Sequence, residues 1–492
     1  MAASLREKTT TGIAWTTVED WGGRIANFMV MLVLARLLSE AAFGLVALAG
    51  VFVALAKVLI DQGFSDAIVQ RETLTDGHLD TALWINVGTG VVLAGLTAGA
   101  APWIAQVMGE AALTPLLRVL AVVFVLRSLS GVQQALFQRT MDFRVLALRS
   151  LAAVALGGAV GIGMAVTGFG VWSLIGQQVT YNAVEMVVLW TASDWRPGFT
   201  FSAERFRELF GFSAYMTGTR LLNFAANRSD TFLVGAFLGP VALGLYDLAF
   251  RQMHTASQLL TGATSRVTFS TFSRMQDDPA QVRRFHRSAT QFGAALAFPL
   301  FGLLMLWAPE VMVVLFGDKW APSGPLLRVL AAMGLLQGIT LFNGAVIKGM
   351  GRSSWTLVQV ALYWGVRLGL MALALAFSAG AMGIAVAYVA GGYLVAPLGW
   401  WMVHRLVGLP VGAYLRALAP VAAAALVGIG LSAVVRWSLP TLNLYVHLAA
   451  GVGSGLLAYA GALYLLQRPL VYRALRLARA LTAPFRPSRS TS

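Results

Sequence analysis

The chain has 492 residues, 58% of them hydrophobic and 12% charged, against about a quarter charged in a soluble domain. A mean hydropathy of +0.73 points the same way, so a soluble globular fold is excluded in favour of one that crosses a membrane many times. The formal charge is +15, and the absence of cysteine removes disulfides, thiolate nucleophiles and cysteine metal sites.

A spanning helix needs ~20 mostly apolar residues, and the sequence offers about fourteen such runs. Six are expected in a first half: Ile13–Leu38, Ala42–Ile68, Leu79–Val107, Leu113–Leu136, Val145–Val166 and Phe169–Thr191. Six follow in a second: Leu209–Leu238, Val241–Val267, Ser288–Phe316, Leu326–Ile347, Trp355–Phe377 and Met382–Val403. Ala413–Val435 and Leu444–Leu466 close the series. Met1 to Thr11 lacks the order of a signal peptide, so the first span is expected to direct insertion itself. The expected fold is an all-α polytopic membrane protein: an N-lobe over 1-195, a C-lobe over 196-405, two helices over 406-467 and a basic cytoplasmic tail over 468-492.

The halves echo each other. Leu116-Leu117-Arg118-Val119-Leu120-Ala121 returns 210 positions later as Leu326-Leu327-Arg328-Val329-Leu330-Ala331. Leu38, Ala42, Gly44-Leu45 and Leu48-Ala49 return after 200 positions as Leu238, Ala242, Gly244-Leu245 and Leu248-Ala249. Ala101-Pro102 returns after 207 as Ala308-Pro309, and Gly170-Val171 after 213 as Gly383-Ile384. A slowly growing offset is what duplication with small insertions leaves behind. Six spans per half insert both copies the same way up, which predicts a parallel repeat about the membrane normal.

Loop charge sets the orientation. With the N-terminus inside, the inner segments hold Arg71, Arg139, Arg196, Arg283, Arg284, Arg352, Arg405 and many more, whereas Lys319 and Arg436 alone lie outside. Both termini are therefore expected in the cytoplasm. The positive charge reports topology, and no nucleic-acid partner is implied. Beyond Arg468, arginines interleave with Leu470, Val471, Leu475 and Leu477, which suits either a helix in the inner headgroup layer or a frayed basic end.

Basic residues inside spans are costlier, at ~2.5–3.5 kcal/mol each on an insertion scale. Arg36, Arg118 and Arg149 lie near span ends and are expected to snorkel. Arg24, Lys57, Arg220, Arg251 and Arg367 sit deeper. Asp20, Arg24 and Asn27 share a helix face, as do Lys57 and Asp61. Arg220, Asn223, Asn227 and Asp230 share another, and Asp247, Arg251, His254 and Gln258 a fourth. Two readings stand: a polar cavity lined by these residues for an anionic ligand, or ion pairs that merely hold helices together. Asp20, Asp61, Asp230 and Asp247 are candidates for ion coupling or pairing. His254 reads as a packed histidine.

No G-x-x-x-x-G-K-[ST] stretch is present to hydrolyse ATP, and no H-E-x-x-H or clustered histidines point to a metal. No cofactor is expected. The outer connections, such as Ser39–Ala41 and Gly239–Pro240, leave an enzyme nowhere but the membrane cavity to place its chemistry.

Several stretches carry a resemblance. Leu34-Ala35-Arg36-Leu37-Leu38-Ser39 through Phe43-Gly44-Leu45, Gly63-Phe64-Ser65, Gly168-Phe169-Gly170-Val171-Trp172 and Trp195-Arg196-Pro197 resemble the polysaccharide transporter family. Asp230, Gly235, Leu238-Gly239, Gly244-Leu245-Tyr246 and Phe316-Gly317-Asp318-Lys319-Trp320 continue it. The likeness runs over roughly residues 5 to 405 and is closest to Wzx-type flippases and colanic-acid-exporter-like proteins of the multidrug/oligosaccharidyl-lipid/polysaccharide exporter superfamily. It implies translocation of an undecaprenyl-diphosphate-linked oligosaccharide across a bacterial inner membrane by alternating access. The implied partners are that anionic lipid-linked oligosaccharide, membrane lipids, a polymerase and other polysaccharide-assembly proteins. A multidrug exporter of the same fold would favour carboxylates and aromatics over this basic excess. An intramembrane glycosyltransferase or ligase would need an acid/base pair.

Overall fold

A computed structural model of the chain describes residues 18–61, 64–71, 73–261, 278–439 and 443–473, with isolated positions beside them. Every regular element among them is helical, and the chain divides into two compact units, Met1–Asp247 and Leu248–Ser492.

In the first unit one turn of π-helix, Val18–Gly22, leads into α1 (Gly23–Leu37), α2 (Glu40–Asp61), the short α3 (Phe64–Gln70), α4 (Asp76–Val107), α5 (Leu113–Arg139), α6 (Phe143–Val166) and α7 (Trp172–Ala192). Polar residues sit where helices begin. The Thr75 and His78 side chains cap each other's backbone at the start of α4, and Asp142 accepts from the Val145 N–H at the start of α6. α4 packs along α5, and α6 along α7, as antiparallel pairs with short connections. The linker between α7 and α8 (Ala203–Thr261) is stitched onto α4: Gly198 N–H and Thr200 Oγ1 donate to Asp80, and Trp84 Nε1 donates to the Gly198 carbonyl at 2.8 Å. α8 is broken at Gly239, whose φ of 79° is open to glycine but strained for other residues.

The second unit contains the end of α8, then α9 (Pro279–Leu306), α10 (Ala308–Phe316), a 3-10 turn at Asp318–Trp320, α11 (Ser323–Thr340), α12 (Asn343–Gly349), α13 (Ser353–Ala376), α14 (Gly380–Val407), α15 (Val411–Ser438) and α16 (Leu444–Leu466). Asp278 opens α9 by accepting from Ala280 and Gln281, with Pro279 in the first turn where it forfeits no hydrogen bond. Buried Phe272, Val282, Phe342, Val403 and Tyr414 belong to one core cluster of this unit.

Eleven helices among the described residues are long and apolar enough to cross a membrane. The difference from fourteen has three sources. α1 is 15 residues long. α7 carries Gln177, Gln178, Asn182 and Glu185, which lower its hydropathy. The seventh and eighth expected runs lie in the single broken helix α8. Two expected spans also end early: α2 stops at Asp61, short of Ile68, and the run to Phe316 breaks at Trp307, because Pro309 begins a new helix.

The duplication is visible residue by residue. Pro115 and Pro325 both precede the repeated hexapeptide, which starts at the fourth position of α5 and of α11. Leu116, Leu117, Leu120 and Ala121 are buried, as are Leu326, Leu327, Leu330 and Ala331, while Arg118 and Arg328 are exposed. Within the first unit a Cβ on Gly90 of α4 would lie 2.7 Å from Ser128 Cβ on α5, and within the second a Cβ on Gly338 of α11 would lie 2.2 Å from Ala297 Cβ on α9. These pairs are offset by 207 and 210 positions, so each copy closes the same crossing with a glycine on the opposite helix.

A second pair is reciprocal. A Cβ on Gly44 would lie 1.7 Å from the Pro240 carbonyl oxygen, and a Cβ on Gly244 would lie 2.0 Å from the Glu40 carbonyl oxygen. Both partners are 200 positions apart. α2 and the second part of α8 thus cross backbone to backbone at equivalent points, as small residues permit in membrane helices.

Candidate substrate-translocation site

The expected site residues fall on the π-helical turn, α1, α2, α8 and α13. α2 is covered on nearly every face, and among its described side chains Lys57 is the exposed one. Arg24 and Asn27, one turn apart on α1, are exposed as well. Arg220 on α8 is half-buried. Asp230 is buried and accepts a 3.0 Å hydrogen bond from the Tyr246 hydroxyl. Asp247 is buried too. The side chains of Asp20, Asp61 and Asn227 lie outside the described residues. The second unit contributes exposed Arg251 and, on α13, Arg367.

Arg367 occupies a different setting from the open cavity expected of it. It is 2% exposed. Its guanidinium carbon lies 3.5 Å from the ring centre of Tyr388, 4.3 Å from Tyr363 and 5.0 Å from Trp364. One terminal nitrogen donates to the Tyr363 hydroxyl, and the buried Nε has no hydrogen-bond partner. Phe250 meets Tyr388 edge-on at 5.3 Å. Aromatic faces carry negative charge above the ring, so this cage compensates a desolvated cation. Gly391 allows it, since a Cβ there would press against the Arg367 backbone at 3.2 Å. Covered in this way, the guanidinium is a packed cation that binds α13 to α14.

One charged cluster escaped the sequence reading. Arg149, expected to snorkel, is buried on α6 between two carboxylates, Glu19 at 3.3 Å and Glu185 at 3.4 Å. Tyr181 donates to the same Glu185 oxygen at 3.1 Å, and Arg127 donates to Asn182 one helix over. Glu19 sits in the π-helical turn ahead of α1. The legible signal was Tyr181, Asn182 and Glu185 interrupting an apolar run, with Tyr181 and Glu185 one turn apart. The cluster ties α6 and α7 to the π-helical turn.

The family profile described as Polysaccharide biosynthesis protein matches residues 33–325. The chain belongs to this family. The matched region takes in Lys57, Arg220, Asp230 and Arg251 and leaves out Arg24 and Arg367. Among curated relatives of this polysaccharide biosynthesis protein, the succinoglycan biosynthesis transport protein ExoT of Rhizobium meliloti is 29% identical over 98% of both chains. The teichuronic acid biosynthesis protein TuaB of Bacillus subtilis is 26% identical over 93% of this chain and 95% of its own. The lipopolysaccharide biosynthesis protein WzxC of Escherichia coli is 27% identical over 71% of each. Among solved structures, the lipid II flippase MurJ in an inward closed conformation superposes with a TM-score of 0.74 at 14% identity, covering 93% of this chain and all of its own. An inward-facing multidrug resistance transporter of the MATE family gives 0.63 at 17% identity, over 79% of this chain and 95% of its own. This chain shares its fold with both of these proteins.

Proposed function

We propose that this polysaccharide biosynthesis protein is a flippase. It carries an anionic lipid-linked oligosaccharide of the undecaprenyl-diphosphate class from the inner to the outer leaflet of the bacterial inner membrane, with both of its termini in the cytoplasm. The observation that carries this reading is Lys57, the exposed side chain on an otherwise covered apolar helix, in a chain that aligns end to end with a succinoglycan transport protein. An ammonium facing hydrocarbon would cost ~2.5–3.5 kcal/mol, whereas one facing water and a diphosphate is favoured. Arg24, Arg220 and Arg251 supply further cations, arginine offering two-pronged contact to phosphate. The oligosaccharide head crosses by alternating access, exposed to each side of the membrane in turn, while the polyprenyl tail stays in lipid.

The test uses proteoliposomes loaded with a fluorescent lipid-linked oligosaccharide. Wild-type protein should move the probe between leaflets with no covalent change to it. Lys57→Gln, Arg24→Gln and Arg220→Gln should each slow transfer at least ~10-fold, the scale of one lost charge-assisted contact, while reaching normal membrane abundance. If Lys57 serves only to pair helices, Lys57→Ala should instead lower abundance and Lys57→Ala with Asp61→Ala should restore it. Undiminished transfer by all the neutralised proteins would sink the proposal.

A further inference from the structure

The second unit holds a cleft of about 640 Å³ that the site above does not use. α9, α11 and α15 enclose it, with Phe298, Leu335, Leu426 and Ile429 as hydrocarbon lining. Gly302 lines it and packs closely on Ile429, whose Cδ1 would lie 2.3 Å from a Cβ at that position. One end differs in kind: Arg328, Arg436 and Trp437 border it.

The two arginines are not equivalent. Arg436 is fully engaged: it pairs with Glu310 at 2.6 Å, donates to the Leu306 carbonyl and lies 5.6 Å from the Trp307 ring centre. Arg328 is exposed, and among the described residues only its Nε meets protein, donating to the Met305 carbonyl at 3.1 Å. Among the described residues neither terminal nitrogen of its fork has a hydrogen-bond partner. Trp437 beside it is 78% exposed, as aromatic residues are at the level of lipid headgroups.

The dimensions narrow the occupant. From Ala422 to Trp437 α15 rises about 22 Å at 1.5 Å per residue, compared with ~15 Å for half of a ~30 Å hydrocarbon core. Its length and hydrocarbon lining suit one extended acyl chain. We propose that the cleft binds one acyl chain of an anionic phospholipid, with the lipid phosphate held by the terminal nitrogens of Arg328. The second chain lies in the bilayer. Three charges border the phosphate site, two positive and one negative, so it keeps a net attraction for an anion.

Native mass spectrometry of the full-length protein, titrated separately with dioleoyl phosphatidylglycerol and dioleoyl phosphatidylcholine, tests this. Wild-type protein should bind one phosphatidylglycerol about fivefold more tightly than phosphatidylcholine, the scale of one basic side chain near an anionic lipid. Arg328→Gln should abolish that preference and Arg328→Lys should keep most of it. Ala422→Phe, which fills the cleft and leaves the arginines alone, should weaken both lipids. Equal affinity of wild-type protein for the two lipids would overturn the proposal, as would an unchanged preference in Arg328→Gln. Displacement of phosphatidylglycerol by undecaprenyl diphosphate at equal concentration would also overturn it, by assigning the cleft to the cargo.

Discussion

Two arginines of the chain show how little residue type alone decides. Arg149 is neutralised twice over by Glu19 and Glu185, whereas Arg367 forms no ion pair among the described residues and is wrapped by Tyr363, Trp364 and Tyr388. The first arrangement is Coulombic and the second rests on ring faces, so they respond differently to substitution. Tyr388→Phe keeps the face and should be the milder change in thermal unfolding of the purified protein. Tyr388→Leu removes it and should destabilise by ~2 kcal/mol, the value of a desolvated cation–π contact. Equal melting temperatures for the two variants would show that the rings are packing volume only. Arg367→Lys should fare little better than Arg367→Met, because an ammonium cannot lie flat between rings.

Among helices, the decisive contacts are those with no side chain at all. Gly44 and Gly244 each oppose a carbonyl of the other helix at under 2.1 Å from where a Cβ would stand. A backbone carbonyl cannot swing aside as a side-chain tip can. Gly44→Ala must therefore push α2 and α8 apart, at ~1–3 kcal/mol for overpacking. Gly50 lies on the same helix with nothing within 4 Å, so Gly50→Ala should be neutral or stabilise by up to ~1 kcal/mol through helix propensity alone. Thermal unfolding of the pair separates crossing geometry from propensity; matched losses would refute the contact. The repeated apolar letters made this crossing traceable in the sequence, since Gly44 and Gly244 were among the echoes at 200 positions. What they touch was not traceable, because a glycine's partner is set by the approach of another helix.

For the whole molecule, spans and duplication were legible because run length and offset survive in one dimension. The candidate site was legible only in part. Lys57, Arg24 and Asn27 were marked by charge at helical spacing within apolar runs, and the structure leaves them exposed. Arg149 was expected to snorkel and Arg367 to sit deep in a cavity, yet both are buried, because whether a charge meets water or packing depends on neighbours from distant parts of the chain. Glu19 was overlooked because it precedes the deep polar face that drew attention. The orientation read from loop charge makes its own prediction: a reporter fused after Ser492 should signal from the cytoplasm and one inserted after Gly317 from outside. The reverse pattern would overturn the topology.

The reciprocal crossing of α2 and α8 has a mechanical consequence. It is made of Cα–H groups against carbonyls, each worth ~0.5–1 kcal/mol, and Glu40 takes part in it through its backbone carbonyl. A latch of this kind can be undone without desolvating a charge, moving a proton or breaking an ion pair. If the alternating access proposed above releases it, the rate of that step should be indifferent to ionic strength and to pH. Any sensitivity of transport to either then reports on cargo and cations, leaving the hinge silent.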